Sequence, residues 1–321
     1  MRKNANKFYY YLGFTGLLVL SLYSCKKDSN VNSNLEQNIS SGVAVENGML
    51  SFQNQEVFSN TMTKLNKLSL RDVDQWASKF NFQNLKSDTL SNIPAAEVAD
   101  PVFARVLSNN ASIKIGDKIF VLKSNQEFLI KDDNMNSYNK LIKGEKINSN
   151  IISSRKINNV SNLIMGTVNN GSINVSIPKL MAENGSGLWA GKQTFESPEY
   201  DNGRPEKVYM EVWSESYAVY SSSGALLRGM AFRKGGAFGG KKWRDDFMNF
   251  ARVSGYYNQT SNPSNRTYFD SGAQYSQEEV KVQFTTDGLS GNSAPYFTAV
   301  SINWNYQKAP SNPTSTQNWF F

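Results

Sequence analysis

The sequence predicts an α+β protein: a small N-terminal unit of helices and a hairpin, followed by an antiparallel β-sandwich or partly closed barrel. Three observations predict it. Between residues 57 and 80 apolar side chains return at helical spacing. From Leu188 onward, short strand-like runs recur between Gly- and Asn-rich turns, with no helix of convincing length. Five of the six tryptophans (Trp189, Trp213, Trp243, Trp304 and Trp319) fall in that second part, so the composition changes where the architecture should.

The N-terminal unit spans 46–130. Asn47-Gly48 opens a short strand over Met49–Phe52. Val57, Phe58, Met62, Leu65 and Leu68 share one helical face. Ser69, with Asp72 three residues on, forms a capping box that starts a second helix. Its apolar side carries Leu70, Val73, Trp76, Ala77 and Phe80. Asp100-Pro101 opens a third, short helix, with aspartate as cap and proline in the first turn. The run 113–122 reads as a hairpin about Gly116-Asp117, a two-residue turn with glycine first. Glu127–Ile130 adds a strand.

Residues 131–187 mix Asn-rich turns with short β-like runs such as Ile173–Ile177, and are read as a connecting region of undetermined structure. The boundary falls in the loop Ala182–Gly187. The β domain, 188–321, has strand-like segments at Lys207–Ser214, Tyr217–Ser222, Leu226–Arg233, Phe247–Val253, Val280–Thr286 and Tyr296–Tyr306. The terminal Trp319-Phe320-Phe321 should dock on the sheet, since it would otherwise be an exposed apolar patch.

Ahead of these elements stands a leader. Arg2, Lys3 and Lys7 precede an uncharged segment from Phe8 to Leu22, 15 residues long. A membrane span needs about 20, whereas a basic start, an apolar core and small residues before a cut define an export signal. The segment ends in Leu22-Tyr23-Ser24-Cys25, and Cys25 is the one cysteine of the chain. This resembles the lipobox of bacterial lipoproteins, whose cysteine thiol takes fatty acyl chains such as palmitate before the chain is cut just ahead of it. The resemblance implies a signal peptide over 1–24, lipidation at Cys25 and a polar flexible tether over 25–45. Lys26-Lys27-Asp28-Ser29 is similar to the surface-export signal of Bacteroidetes lipoproteins. It implies an outer-membrane protein facing the medium, with the lipid bilayer as partner through acylated Cys25. Asp88-Thr89-Leu90 resembles the O-glycosylation pattern of exported Bacteroidetes proteins, which makes Thr89 a candidate acceptor.

Longer stretches carry a further resemblance. Asn47-Gly48-Met49-Leu50-Ser51-Phe52, the run Asp100–Leu107 leading into Ile113–Phe120, and Met210-Glu211-Val212-Trp213 through Tyr217, Tyr220 and Gly224 are similar to a group of Bacteroidetes surface lipoproteins of unknown function. The resemblance implies a two-part fold and a surface location, and supplies no activity.

Composition narrows the chemistry. The full chain carries net charge +7, and without the three leader cations the balance is 31 basic against 27 acidic residues. A spread charge of that size argues against nucleic acid as a partner. There is no histidine, which excludes a Ser-His-Asp triad, a Cys-His pair and histidine-ligated zinc. With Cys25 acylated, no thiol remains for redox work or a disulfide. Nothing calls for a cofactor or metal. Gly235-Gly236-Ala237-Phe238-Gly239-Gly240-Lys241-Lys242 nearly spells a phosphate-binding loop, but Lys242 stands where Ser or Thr must hold magnesium. A glycine-rich hairpin loop is the better reading.

Glu211, Trp213, Glu215 and Tyr217 alternate along one strand and so share a face. An indole flanked by carboxylates is a plausible glycan platform, and an inward-packed Trp213 is its structural alternative. Asp245-Asp246 and Glu278-Glu279 read as solvated turn residues rather than a calcium site. The expected function is a non-catalytic surface module that binds a glycan or protein, or assembles with an outer-membrane protein. The alternatives are a histidine-free extracellular glycan hydrolase and a structural accessory subunit of an outer-membrane complex.

Overall fold

The computed structural model describes residues 41–85, 98–124, 126–147, 151–159, 167–168, 188–197, 199–234, 240–259, 262–287, 297–312 and 314–320. The leader, Cys25, Thr89, Ile173–Ile177 and the glycine run 235–239 lie outside the described residues. From Gly42 onward the chain packs as one unit.

Its helices are α1 (Gln55–Leu65), α2 (Leu70–Ser78), α3 (Pro101–Val106) and α4 (Met135–Lys143). The N-terminal strands are β1 (Val43–Glu46), β2 (Met49–Phe52), β3 (Ser112–Ile115), β4 (Lys118–Lys123) and β5 (Gln126–Lys131), then β6 (Ile151–Asn159) and β7 (Thr167–Val168). The C-terminal strands are β8 (Leu188–Glu196), β9 (Tyr200–Asp201), β10 (Pro205–Ser216), β11 (Ser221–Lys234), β12 (Lys241–Asp245) and β13 (Met248–Gln259). They continue with β14 (Asn262–Asp270), β15 (Gln274–Gln277), β16 (Glu279–Asp287), β17 (Phe297–Gln307) and β18 (Ser315–Phe320).

The protein is mixed and mostly β, with two sheets. A twelve-stranded sheet runs β1-β2-β3-β4-β5-β6-β8-β10-β11-β12, with β16 added to β11 and β9 to β10. A six-stranded sheet runs β14-β13-β17-β18-β7, with β15 added to β13. Pairing is antiparallel except at β2–β3 and β6–β8. A parallel pair needs a long crossover, and α1, α2 and α3 fill the one between β2 and β3. Of the two architectures open to the sequence, the structure has sandwich-like packing. Neither sheet closes into a barrel among the described residues.

Local chemistry explains the elements. Asn47 (φ 50) and Gly48 (φ 77) form a turn with both central residues left-handed, as a twisted two-residue hairpin requires. In the β3–β4 turn only the first central residue, Gly116 (φ 59), is left-handed, the other two-residue arrangement that suits twisted strands. Ser69 accepts from the Asp72 amide, and Asp100 accepts from Val102 and Phe103, at the starts of α2 and α3.

Two sequence expectations need correction, and a region left open by the sequence gains a helix. Val43, Ala44 and Val45, expected inside the tether, pair with β2 as part of β1. The connecting region contains α4, capped by Asn134 and ended by left-handed Gly144, which buries Tyr138 and Leu141. Its Asn-rich polar face masked that spacing. Of the expected strand Tyr217–Ser222, only Ser221 and Ser222 are extended, as the start of β11, while Tyr217–Tyr220 is the turn from β10: the Tyr217 amide donates to the Tyr220 carbonyl at 2.8 Å. Elsewhere Lys234 faces Lys241 across the β11–β12 ladder, as a hairpin requires. The tail Ser315–Phe320 adds to the six-stranded sheet beside β17.

Strands β10, β11 and β16 are covered on both faces. One face sends Val208, Met210, Val212, Ala225, Leu227 and Val280 against Ala251, Val253, Tyr257, Ile302, Trp304 and Tyr306 of the six-stranded sheet. The other lies under α1, α2 and α3. The run Ile119–Leu122 of β4 is likewise buried on both sides, which is why it reads as continuous rather than alternating.

Candidate functional site

Glu211, Trp213 and Glu215 do share one face of β10, but it is the face beneath the helices. All three are buried, as is Tyr217 in the turn beyond. The Trp213 indole lies across Gly224, its direct partner on β11, where a methyl group would overlap the ring. Its Nε1 donates to Ser222 Oγ at 3.2 Å. Glu211 accepts from the Tyr209 hydroxyl at 3.1 Å. Enclosed in this way, the four side chains present no surface on which a sugar ring can stack.

They form instead a polar seam joining helices to sheet. Glu215 Oε2 accepts from the amides of Ala99 (2.6 Å) and Asp100 (3.0 Å) and from the Tyr217 hydroxyl (3.3 Å). The Tyr220 hydroxyl donates to Asp100 Oδ2 at 2.6 Å and accepts from Asn66 and Gln283, each at 3.2 Å. Glu127 of β5 accepts from the Ala218 amide at 2.7 Å, tying down the turn. Rings of Phe58, Phe103, Phe120, Tyr217 and Tyr220 close over it, with Phe103 and Tyr220 4.7 Å apart. Burial, then the neighbouring Asp100 carboxylate, pushes the Glu215 carboxyl well above its ordinary range. The same two causes raise Tyr220. Two carboxyls in a closed site, engaged by amides and phenols, clasp the fold. They do not flank a substrate as a glycosidase pair must.

The acidic pairs expected in solvent are engaged as well. Glu279 Oε1 accepts from the Leu70 amide at 2.6 Å, capping α2 from a distant strand, and Glu278 pairs with Arg71. Asp246 is buried against Lys308 Nζ (2.9 Å), Arg204 (2.9 Å) and Arg233 (3.6 Å). Among the described residues no three or more His, Cys, Asp or Glu side chains are grouped to hold a metal ion.

The outward face of the six-stranded sheet is different. Along β13, Ala251, Val253 and Tyr257 point into the core, while Arg252, Ser254, Tyr256 and Asn258 alternate outward and are half-exposed. Register sets Tyr256 directly opposite Tyr268 of β14, with ring centroids 6.0 Å apart. Tyr268 is 71 % exposed. Arg266 lies 4.5 Å over the Tyr256 ring, so Tyr268 is the better stacking surface of the two. Phe250 and Tyr275 form a second pair, 5.5 Å apart, on the same side, and Tyr275 is 65 % exposed. Asn303 and Asn305 of β17 lie half-exposed beside these rings. Gly255 lets β13 approach β17, since a Cβ there would strike the Ser301 carbonyl. A depression of about 330 Å³ lies between Ser254, Tyr256, Tyr268, Asp270 and Asn303. Asp270 is its one carboxylate among the described lining residues, and Arg252 holds it, donating Nε to Oδ1 at 2.9 Å.

Sequence reasoning missed these tyrosines. The signal was two aromatic dyads, Tyr256-Tyr257 and Tyr268-Phe269, on either side of a polar stretch. On a strand, one member of each dyad must face inward and the other outward.

No known family profile matches the chain, and no curated protein matches it. Among solved structures it is similar to the crystal structure of a DUF4848 family protein from Bacteroides thetaiotaomicron, at 12 % identity over 85 % of this chain and 98 % of that one. The TM-score is 0.22, and a likeness of that size carries neither fold nor activity across. Among the described residues no helix is long and apolar enough to cross a membrane.

Proposed function

We propose that this protein is an outer-membrane lipoprotein, anchored through acylated Cys25 and facing the medium, that binds an extended glycan without turning it over. One observation carries the reading: the outward row Tyr256, Tyr268, Phe250 and Tyr275, set among the amides of Asn258, Asn303 and Asn305. Aromatic faces stack on the C–H faces of sugar rings, and amides both give and accept hydrogen bonds to hydroxyls. Among the described lining residues the one carboxylate, Asp270, is already paired with arginine, which suits holding rather than hydrolysis, since that needs two carboxyls across the bond. The platform stands on a sheet, whose rigidity fixes the spacing of the rings. Cys25 and the polar stretch after it would hold that face away from the bilayer.

Glycan-array binding of the full chain checks this, followed by titration of the best glycan. Tyr268→Ala should weaken binding at least tenfold and leave the thermal midpoint unchanged. Retention of a single bound glycan by Tyr268→Ala and Tyr256→Ala alike would reject the face as the site, and release of reducing sugar would reject the non-catalytic reading.

A further inference from the structure

A second cavity lies between the α1–α2 junction, strand β16 of the larger sheet and the β14–β15 segment of the smaller one. Its volume is about 590 Å³, and Asn66, Gln274, Gln277, Lys281 and Gln283 contribute to its wall. Two of these carry buried polar atoms without a hydrogen-bond partner: Nζ of Lys281 and Oδ1 of Asn66.

Lys281 stands on the helix-ward face of β16, since Val280 and Val282 on either side turn into the sandwich. Asp100 and Glu279 draw its charge, and Arg105 repels it. The neighbours already have other partners. Asp100 takes the amides of Val102 and Phe103 and the Tyr220 hydroxyl. Glu279 takes the Leu70 amide. Arg105 binds Asp74 and the Pro101 carbonyl. Burial pushes the Lys281 amine down to about 8.

A buried ammonium without an acceptor and a buried carbonyl without a donor each cost folding free energy. Where a natural chain retains such a breach of packing logic, it tends to be at a site that uses it. The two atoms also restrict what could satisfy them. A simple anion would serve Lys281 and leave the Asn66 carbonyl unmet. A neutral sugar would do the reverse. The charges of Asp270 and Glu279 balance those of Lys67 and Lys281 in the same wall, and a wall without net positive charge disfavours a dianion such as phosphate. A singly charged carboxylate bearing hydroxyls meets both needs, and the glutamine amides suit its remaining oxygens.

We propose that this cavity binds a uronic sugar, its carboxylate on the Lys281 ammonium and a ring hydroxyl donating to Asn66 Oδ1. Neither the Lys281 ammonium nor Asn66 Oδ1 is open to the cavity as the side chains stand, so both side chains must rotate to meet the ligand. Asp270 lines both this cavity and the depression on the aromatic face, but Lys281 and Asn66 line this cavity alone and Tyr256 and Tyr268 only the other.

The test titrates the full chain, in detergent, with galacturonate, galactose, acetate and lactate. Galacturonate should bind at least tenfold more tightly than the other three. Lys281→Met should weaken it at least tenfold and at the same time raise the thermal midpoint, because an unpaired buried charge gives way to an apolar side chain of similar length. Tyr268→Ala should leave galacturonate binding intact. Equal affinity for galactose removes the role of the charge, and equal affinity for acetate or lactate removes the sugar. Loss of binding in Tyr268→Ala moves the ligand to the aromatic face. A lowered midpoint in Lys281→Met shows that the lysine is part of the scaffold. Any one of these results overturns the proposal.

Discussion

Two rows of side chains, one on β10 and one on β13, follow the same rule and come to opposite ends. On β10, Glu211, Trp213 and Glu215 alternate with core residues and point away from the sandwich. On β13, Arg252, Ser254 and Tyr256 do the same. The first row is closed over by three helices and becomes a joint. The second is left open and presents its rings to solvent. Alternation fixes which residues share a face, and only the tertiary neighbour decides whether that face is a site or a seam.

The comparison breaks most decisively under truncation of a ring in each region. Phe103 sits where helix, β4 and the β10–β11 turn meet, against Phe58, Phe120, Tyr217 and Tyr220. Phe103→Ala should cost about 3–5 kcal/mol in denaturant unfolding. Tyr268→Ala, on the open face, should stay within about 0.5 kcal/mol of the parent. Comparable losses in the two would mean that the outward face is covered and that the contrast fails.

Glu215 sharpens the contrast through pH. Its native carboxyl is raised well above the ordinary value of 4.5 by burial and by Asp100. The folded state therefore keeps a proton that the unfolded state has released, and stability falls as pH rises through that window. Glu215→Gln is neutral throughout. Its stability curve should coincide with the parent's below about pH 4.5 and lie above it at neutral pH. Glu215→Ala, which orphans the amides of Ala99 and Asp100, should lose about 1–3 kcal/mol for each. A parent more stable than Glu215→Gln at neutral pH would show that the seam holds a carboxylate, not a protonated acid.

How much of this was legible in the sequence follows the same division. The caps at Ser69 and Asp100, the turn at Gly116-Asp117, and the apolar faces of α1 and α2 could be read because each rests on contacts within a few residues. The alternation of β10 was legible too. What covers it was not, because Ala99 and Glu215 meet across more than a hundred residues. Glu279 and Asp246 were misread for one reason: their partners, the Leu70 amide and Lys308, are 209 and 62 residues away in the chain. Lys281 belongs with them. In Glu279-Val280-Lys281-Val282-Gln283 the polar positions look like a solvated row, and the helices above turn that row into a cavity wall.

The smallest effects separate a buried ion cluster from an exposed one. For Asp246, burial works against the charge. The Lys308 hydrogen bond and the charges of Lys308, Arg204 and Arg233 outweigh it and hold the carboxyl below its ordinary value of 3.8. Its contribution is complete above that value and is lost as pH falls through the lower native one. Asp270 is also held low, chiefly by its hydrogen bond to Arg252, but both partners are largely in solvent, where salt screens the pair. Asp246→Asn should therefore flatten the acid limb of the stability curve below the ordinary value of 3.8 and do so at low and high salt alike. Asp270→Asn should leave that limb unchanged once salt is added. If both variants respond equally to salt, Lys308 is not sealed between the sheets, and the two ends of the sandwich differ less than the burial of Asp246 and Lys308 requires.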